Sequence, residues 1–377
     1  MTTPFDLQAP AEFDAVSEAF KANFDEGLEH GAAFCVMYKG QILIDLKGGW
    51  ADRRKTKPLD EDALISVYSS GKAVAALIIA LLADDDLLGY NQPVNTIWPE
   101  FDRFGKGELT VAQVMSHQSG LSGITNPEWT ALDWFDWVKT CDELCDQEPL
   151  FTPGSASGYH PVVYGFLSGE IARRVDTYGR HLGDILRQDI CEPLGLDVWL
   201  GLPNSEHERC AEIIKPRALP DLGVITPAKK AAFLETWSSP GRSGVKAWRE
   251  AQLAGSNCHA TAKGLAAIMQ LAIDGKIGNK TFLAEDMLGF LREPRISGPD
   301  HVLPYDVTFA AGLMCNSPNF FYGPNPETVG HSGWGGSCVF ADPKTGLTAA
   351  YVMTKQDKYL MGDPRSRRLI EALYNSL

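Results

Sequence analysis

Ile65-Ser66-Val67-Tyr68-Ser69-Ser70-Gly71-Lys72 runs directly into Ala73-Val74-Ala75-Ala76-Leu77-Ile78-Ile79-Ala80-Leu81-Leu82-Ala83, and the fold is read outward from this stretch. Ala73 to Ala83 is apolar at every position. The run is about half the ~20 residues needed to cross a bilayer, so it predicts a helix buried on all sides, closed by Asp84, Asp85 and Asp86 in a solvated turn. Ser69 then stands at the helix N-terminus. Lys72 lies one turn further on the same face, with its amine in reach of the Ser69 oxygen.

That spacing suits nucleophilic catalysis. A serine hydroxyl needs a base, and a lysine amine serves as one only when desolvation or nearby positive charge lowers its pKa. The head of a wholly apolar helix supplies such burial, and the helix N-terminus adds N–H groups and positive potential that favour an oxyanion. Alone the pair is weak, because about one Ser-x-x-Lys is expected by chance in a chain of this length.

On the N-terminal side, Phe13, Val16, Phe20 and Phe24 recur at helical spacing and predict a helix over roughly 11–25. Ala33–Tyr38 and Gln41–Leu46 read as strands joined by a Lys39-Gly40 hairpin turn. Towards the C-terminus, Ser337–Phe340 and Leu347–Met353 form a second expected hairpin around a turn-rich 342–346. Asp363-Pro364 then opens a closing helix with Leu369, Ile370, Leu373 and Leu377 on its apolar face. The stretch between, about 70–285, is dominated by helical periodicity. Strand-forming ends around a helical middle predict an α+β protein: a mainly antiparallel sheet built from both termini, flanked by helices, with a large helical insertion. The expected division is a sheet domain of 1–70 and 285–377 and a helical domain of 71–284, the active site lying at their interface.

Composition sets the class. Apolar residues make up 44% and charged residues 22% of 377 residues, ordinary for a globular chain. The net charge of −14, with scattered Lys and Arg, excludes nucleic acid as a partner. Residues 1–30 carry acidic groups among their apolar ones and have no basic start, so neither a signal peptide nor a membrane partner is expected, and a cytoplasmic location is. Cys141 and Cys145, four apart, lack the further Cys or His pair of a zinc site. No metal and no cofactor are assigned, and nothing in the sequence supports self-association.

Further motifs appear in order: Gly49-Trp50-Ala51-Asp52-Arg53, Leu87-Leu88-Gly89-Tyr90-Asn91-Gln92-Pro93-Val94, Leu109-Thr110-Val111, Met115-Ser116-His117-Gln118-Ser119-Gly120-Leu121, Phe151-Thr152-Pro153-Gly154 leading to Tyr159, and His331-Ser332-Gly333-Trp334-Gly335-Gly336. With the Ser69 stretch, and across about residues 10–375, they resemble the serine β-lactamase and penicillin-binding-protein family. The likeness is narrowest to the class C β-lactamase-like carboxylesterases called family VIII. The resemblance implies the β-lactamase/DD-peptidase fold and an acyl-enzyme on Ser69, with Lys72 and Tyr159 moving the proton. It implies an oxyanion hole from the backbone N–H groups of Ser69 and Trp334, and a substrate-binding strand at His331, Ser332, Gly333 and Trp334. Lys344-Thr345-Gly346, the family's usual third motif, falls in the hairpin turn and is set aside as a decoy.

Departures from the family pattern narrow the substrate. Tyr159-His160-Pro161 stands where β-lactamases have Tyr-x-Asn, and Pro161 has no side-chain amide. His331 replaces a fixed lysine charge with an imidazole that is mostly neutral at pH 7. Both changes disfavour an amide- and carboxylate-bearing drug and favour a small-molecule ester, here a short-chain carboxylic ester. The expected cytoplasmic location agrees. Alternatives are β-lactamase, D-amino-acid peptidase or amidase, or acyltransferase action on the same site, and, outside enzymes, a penicillin-recognising scaffold. No Gly-x-Ser-x-Gly elbow occurs, which excludes the α/β-hydrolase signature.

Three features stay open. Trp129, Trp134, Phe135 and Trp137 are either core or an apolar wall for an acyl chain. The Pro- and Gly-rich run within 201–249 is either a loop over the site or a surface excursion. Gly335-Gly336 either lets substrate approach the strand or makes a bulge.

Overall fold

The computed structural model describes residues 2–243 and 245–377; Gly244, in the Pro- and Gly-rich run, lies outside them. A short 3₁₀ turn at Ala11–Phe13 leads into α1 (Asp14–Asp25). β1 (Phe5–Gln8), β2 (Gly31–Tyr38) and β3 (Gln41–Gly49) form the N-terminal part of the main sheet. Lys39 and Gly40 both take positive φ, +49° and +75°, the left-handed pair that a two-residue hairpin turn requires. β4 (Ile65–Tyr68) runs into α2 (Gly71–Asp84), in which nearly every residue is buried.

The helical middle includes α3 (Tyr164–Val175), α4 (Val245–Glu250) and α5 (Ala262–Ile268), with strands β5 (Val198–Trp199), β6 (Cys258–Ala260), β7 (Lys276–Ile277) and β8 (Lys280–Thr281). The C-terminal part supplies β9 (Ile296–Pro299), β10 (Asp306–Phe309), β11 (Met314–Cys315), β12 (Val329–Ser332), β13 (Cys338–Asp342), β14 (Leu347–Met353) and the closing α6 (Pro364–Asn375). Asp363 caps α6 by accepting the Arg365 N–H at 2.9 Å, with Pro364 in the first turn.

Nine strands in the order β1-β3-β2-β14-β13-β12-β11-β10-β9 make one antiparallel sheet. The two ends of the chain meet at β2 and β14, where Phe34 faces Tyr351 and Val36 faces Ala349. Both faces of β2 are buried. Ala32, Phe34 and Val36 pack with Val16, Phe20, Leu369 and Leu373 of α1 and α6, while Ala33, Cys35 and Met37 join the larger core around α2 and α5.

Two features of the middle segment differ from a purely helical insertion. α5, read from sequence as part of it, packs on β2 and β14 and covers the second face of the sheet. A second, three-stranded sheet, β4-β6-β5, holds the strand that ends at Tyr68, immediately before Ser69. An extended pairing of only two to four residues per strand leaves too short an alternation to be legible in sequence.

Candidate active site

Ser69 sits at a tip between β4 and α2. β4 is pinned on one side by β6, with Ser66 opposite His259 and Tyr68 opposite Cys258. On the other side, the Ser337 hydroxyl donates to the Val67 carbonyl at 2.8 Å and lies 3.0 Å from the Ser70 hydroxyl. Gly333 makes this approach possible, since a Cβ there would stand 2.1 Å from the Val67 carbonyl oxygen. Tyr68 turns the corner with φ +49°, a conformation that costs an aromatic residue free energy and needs surroundings to hold it.

Lys72 is fully buried. Its Nζ stands 3.0 Å from Ser69 Oγ, 2.8 Å from the Pro161 carbonyl and 2.6 Å from the Gly255 carbonyl. Desolvation holds its pKa well below the ordinary lysine value. A neutral amine has two hydrogens and one lone pair. The two carbonyls can accept those hydrogens, so a neutral amine can turn its lone pair to the Ser69 hydroxyl, which in this arrangement lies 3.1 Å from the Gly255 carbonyl and donates to it. The chemistry this permits is proton removal from Ser69 by an uncharged lysine.

Tyr159 is also buried, with its ring 4.9 Å from Lys72 Nζ. Its backbone is tied down where the Tyr159 N–H donates to Asp300 at 3.0 Å. Burial pushes its pKa above the ordinary phenol range, partly offset by the neighbouring Ser69 hydroxyl. The same burial that disfavours the Lys72 ammonium disfavours the Tyr159 phenolate.

Among the described residues, neither the Ser69 nor the Trp334 N–H donates to a protein acceptor. Two free donors beside the Ser69 hydroxyl are what an oxyanion hole requires. The Trp334 carbonyl accepts from the Gln356 amide at 3.0 Å, which orients that peptide. Gly335 and Gly336 have φ +87° and +127°. A Cβ at either would meet Gln356, or Asp363 and Arg365, at 2.5 Å. The turn and its packing account for both glycines.

The expected substrate strand divides in two. Ser332 and Trp334 line a cavity of about 800 Å3 beside Ser69 and Tyr159. His331 and Gly333 do not. The His331 imidazole is wholly buried behind Tyr159, ring to ring at 5.9 Å, with burial pushing its pKa down to about 3. Side chains alternate along β12, so if Ser332 faces the cavity, His331 faces away. The aromatic cluster is core: Trp129 and Trp134 are buried, and Trp134 donates to the Trp237 carbonyl at 2.8 Å. The Pro- and Gly-rich run is a wall of the site, supplying Lys215, Leu219, Phe233 and Ser238 to the cavity. Thr261 caps α5 by accepting from the Gly264 N–H, while Asn257 bonds the Trp248 carbonyl and ties α4 to β6.

Sequence reasoning missed the carbonyls of Pro161 and Gly255, the Ser70–Ser337 link and His117. Its ring lies 4.9 Å from that of Tyr159. His117 sits inside a quoted motif, which was the available signal; backbone carbonyls leave none.

The family described as Beta-lactamase matches residues 20–373. Esterase/beta-lactamase LipL of Mycobacterium tuberculosis is 32% identical over 358 residues, 91% of this chain and 81% of that protein. Among solved structures, a penicillin-binding protein homolog from Caulobacter crescentus is 50% identical with a TM-score of 0.96, covering 99% of this chain and all of that one. A family VIII carboxylesterase is 37% identical with a TM-score of 0.92 at the same coverage. These likenesses establish the β-lactamase/DD-peptidase fold and, with the matched sequence, show that this chain is a serine hydrolase belonging to the beta-lactamase family.

Proposed function

We propose that the protein is a carboxylesterase acting through an acyl-enzyme on Ser69. The observation that carries this reading is the buried Lys72 amine, its ammonium form disfavoured by desolvation, held 3.0 Å from the Ser69 hydroxyl at the floor of a largely apolar cavity. Ser69 Oγ bonds to the ester carbonyl carbon while its proton passes to Lys72. The tetrahedral oxyanion is held by the N–H groups of Ser69 and Trp334, each worth about 3 kcal/mol. The carbon–oxygen bond to the alcohol then breaks, and Tyr159 relays the proton from Lys72 to the leaving oxygen. Water repeats the sequence in reverse roles, releasing the acid and restoring Ser69.

Esters are favoured over lactams because the site has no lysine on β12, the imidazole there is neutral and buried, and Pro161 offers only a carbonyl already engaged by Lys72. A cavity of about 800 Å3 has room for far more than a short acyl chain, so bulkier esters are included. The relative named esterase/beta-lactamase supports β-lactam hydrolysis as a second reading. The test is hydrolysis of p-nitrophenyl butyrate and of a chromogenic cephalosporin by wild type and Ser69→Ala. Ester turnover lost in Ser69→Ala, with little cephalosporin turnover, is expected. Faster cephalosporin turnover would replace the esterase by a β-lactamase, and full activity in Ser69→Ala would remove the nucleophile.

A further inference from the structure

The cavity beside Ser69 has one charged wall. Lys215 donates to the Tyr68 phenol oxygen at 2.7 Å and has no carboxylate within ion-pair distance among the described residues. Tyr68 in turn packs on Trp248, ring to ring at 5.7 Å, and the next residue, Arg249, also lines the cavity. Arg249 is half-buried, its Nε is buried without a hydrogen-bond partner, and its guanidinium has no carboxylate partner among the described residues. Arg53 and Glu212 complete the charges on the lining. They answer one another, with Glu212 accepting the Arg53 N–H at 3.0 Å and lying 4.0 Å from its guanidinium.

The balance on this wall is therefore two uncompensated cations, in a protein whose net charge is −14. His259, on the same lining, adds no charge, because burial pushes its pKa down to about 3. A buried guanidinium nitrogen without an acceptor is costly. The planar fork of an arginine matches a carboxylate in two-point geometry, and acidic side chains are numerous enough in this chain that one could have filled the place.

We propose that the cavity selects esters carrying a carboxylate several bonds from the scissile carbonyl, with Arg249 and Lys215 holding that carboxylate while Ser69 attacks the ester. This deepens the esterase reading and rests on it for the reaction; the recognition stands on the charged wall alone. It also relocates the substrate's charge, which is met by the 211–249 segment instead of by the strand that carries His331.

The experiment compares kcat/KM for two matched pairs: mono-p-nitrophenyl suberate against p-nitrophenyl octanoate, and 4-acetoxybenzoate against phenyl acetate. The first pair places the carboxylate on the acyl side, the second on the alcohol side. In the wild type the anionic member of at least one pair is preferred about tenfold or more, the scale of a charge-assisted hydrogen bond. That preference falls in Arg249→Gln and further in Arg249→Glu. It also shrinks between low salt and 0.5 M NaCl through screening, a readout that needs no variant. In parallel, calorimetry on Ser69→Ala measures suberate against 1-octanol, so recognition is read without any turnover. Preferences near one in both pairs, unmoved by salt and by both Arg249 variants, with no stronger binding of suberate, overturn the proposal. If neutral esters are hydrolysed in that case, the esterase survives and only the charged wall is wrong. If no ester is hydrolysed but suberate binds through Arg249, the esterase reading fails and the anion site stands.

Discussion

The floor of the cavity and its outer wall are built by opposite means. The floor, Ser69, Lys72 and Tyr159, stands on α2 and the two hydrophobic cores, with the Lys72 amine tied to two backbone carbonyls and the Tyr159 N–H to the Asp300 carboxylate. The wall from Ala211 to Gly241 is mostly irregular chain, broken by short helical turns at 227–234, with exposed apolar groups such as Leu219 and Val224 and, among the described residues, with unpaired charge at Lys215. A lysine amine held by two backbone carbonyls within a packed core keeps one geometry, as proton transfer requires. A wall with unsatisfied groups is open to whatever complements it. The difference assigns reactivity to the core and selectivity to the loops.

The sharpest way to break this comparison is to remove the buried base. Lys72→Met keeps the length and apolar packing of the side chain, and should lower kcat/KM for p-nitrophenyl butyrate by a factor on the order of 10³ or more. Tyr159→Phe should cost about 10²–10³, within the range for general acid–base groups. In the wild type, activity should rise with pH as Lys72 loses its proton, with the midpoint well below ordinary lysine titration because burial disfavours the ammonium. Retention of full activity in Lys72→Met would detach chemistry from the core.

A smaller effect comes from the packing that joins the floor to β12. Gly333→Ala forces a Cβ towards the Val67 carbonyl and should destabilise the protein by about 1–3 kcal/mol, as overpacking does. Denaturant unfolding measures it, and kcat should fall as well because Trp334 is the next residue. An unchanged midpoint would show that β12 and β4 are less tightly joined than the geometry states.

Acid should loosen the floor before the wall. His160 and His331 are neutral in the folded protein down to pH about 3, and in the unfolded chain each takes up a proton near 6.5. Their contribution is complete above pH 6.5 and is lost as pH falls towards 3. Thermal midpoints should hold near neutrality and decline below pH 6.5, with a shallower decline in His331→Asn. An identical slope in that variant would mean its imidazole is not kept neutral by burial.

The smallest expected effect lies on the wall. Trp248→Ala removes the ring against Tyr68 and should raise KM for bulky aromatic esters several-fold, with kcat for p-nitrophenyl acetate changed by less than about threefold. A large kcat loss on acetate would place Trp248 with the floor by way of Tyr68.

The contrast also governs what was readable before the structure. The Ser69–Lys72 spacing, the buried helix and both terminal hairpins are local patterns, and each is where the periodicity or turn chemistry placed it. Residue resemblance placed Tyr159 and Trp334 beside Ser69, and they line the cavity. His331 was assigned to substrate by its place in a motif. Its side chain points the other way, because one step along a strand reverses the face. The 201–249 run was legible as a possible loop over the site, but nothing local marked Lys215, Phe233 and Arg249 as its cavity-lining members.

By itself the sequence placed Ser69 one turn from Lys72 at the head of a buried helix and the strands of both ends in one antiparallel sheet, by local periodicity and turn chemistry, while the departures at Pro161 and His331 were legible only against the family resemblance. Only tertiary structure decided that Lys72 is buried against the carbonyls of Pro161 and Gly255, that burial raises the Tyr159 phenol pKa and that Lys215 and Arg249 line the cavity beside Ser69. Burial and electrostatic environment are properties of what surrounds a group. Those surroundings come from segments 89 and 183 residues along the chain from Lys72, so no local pattern records them.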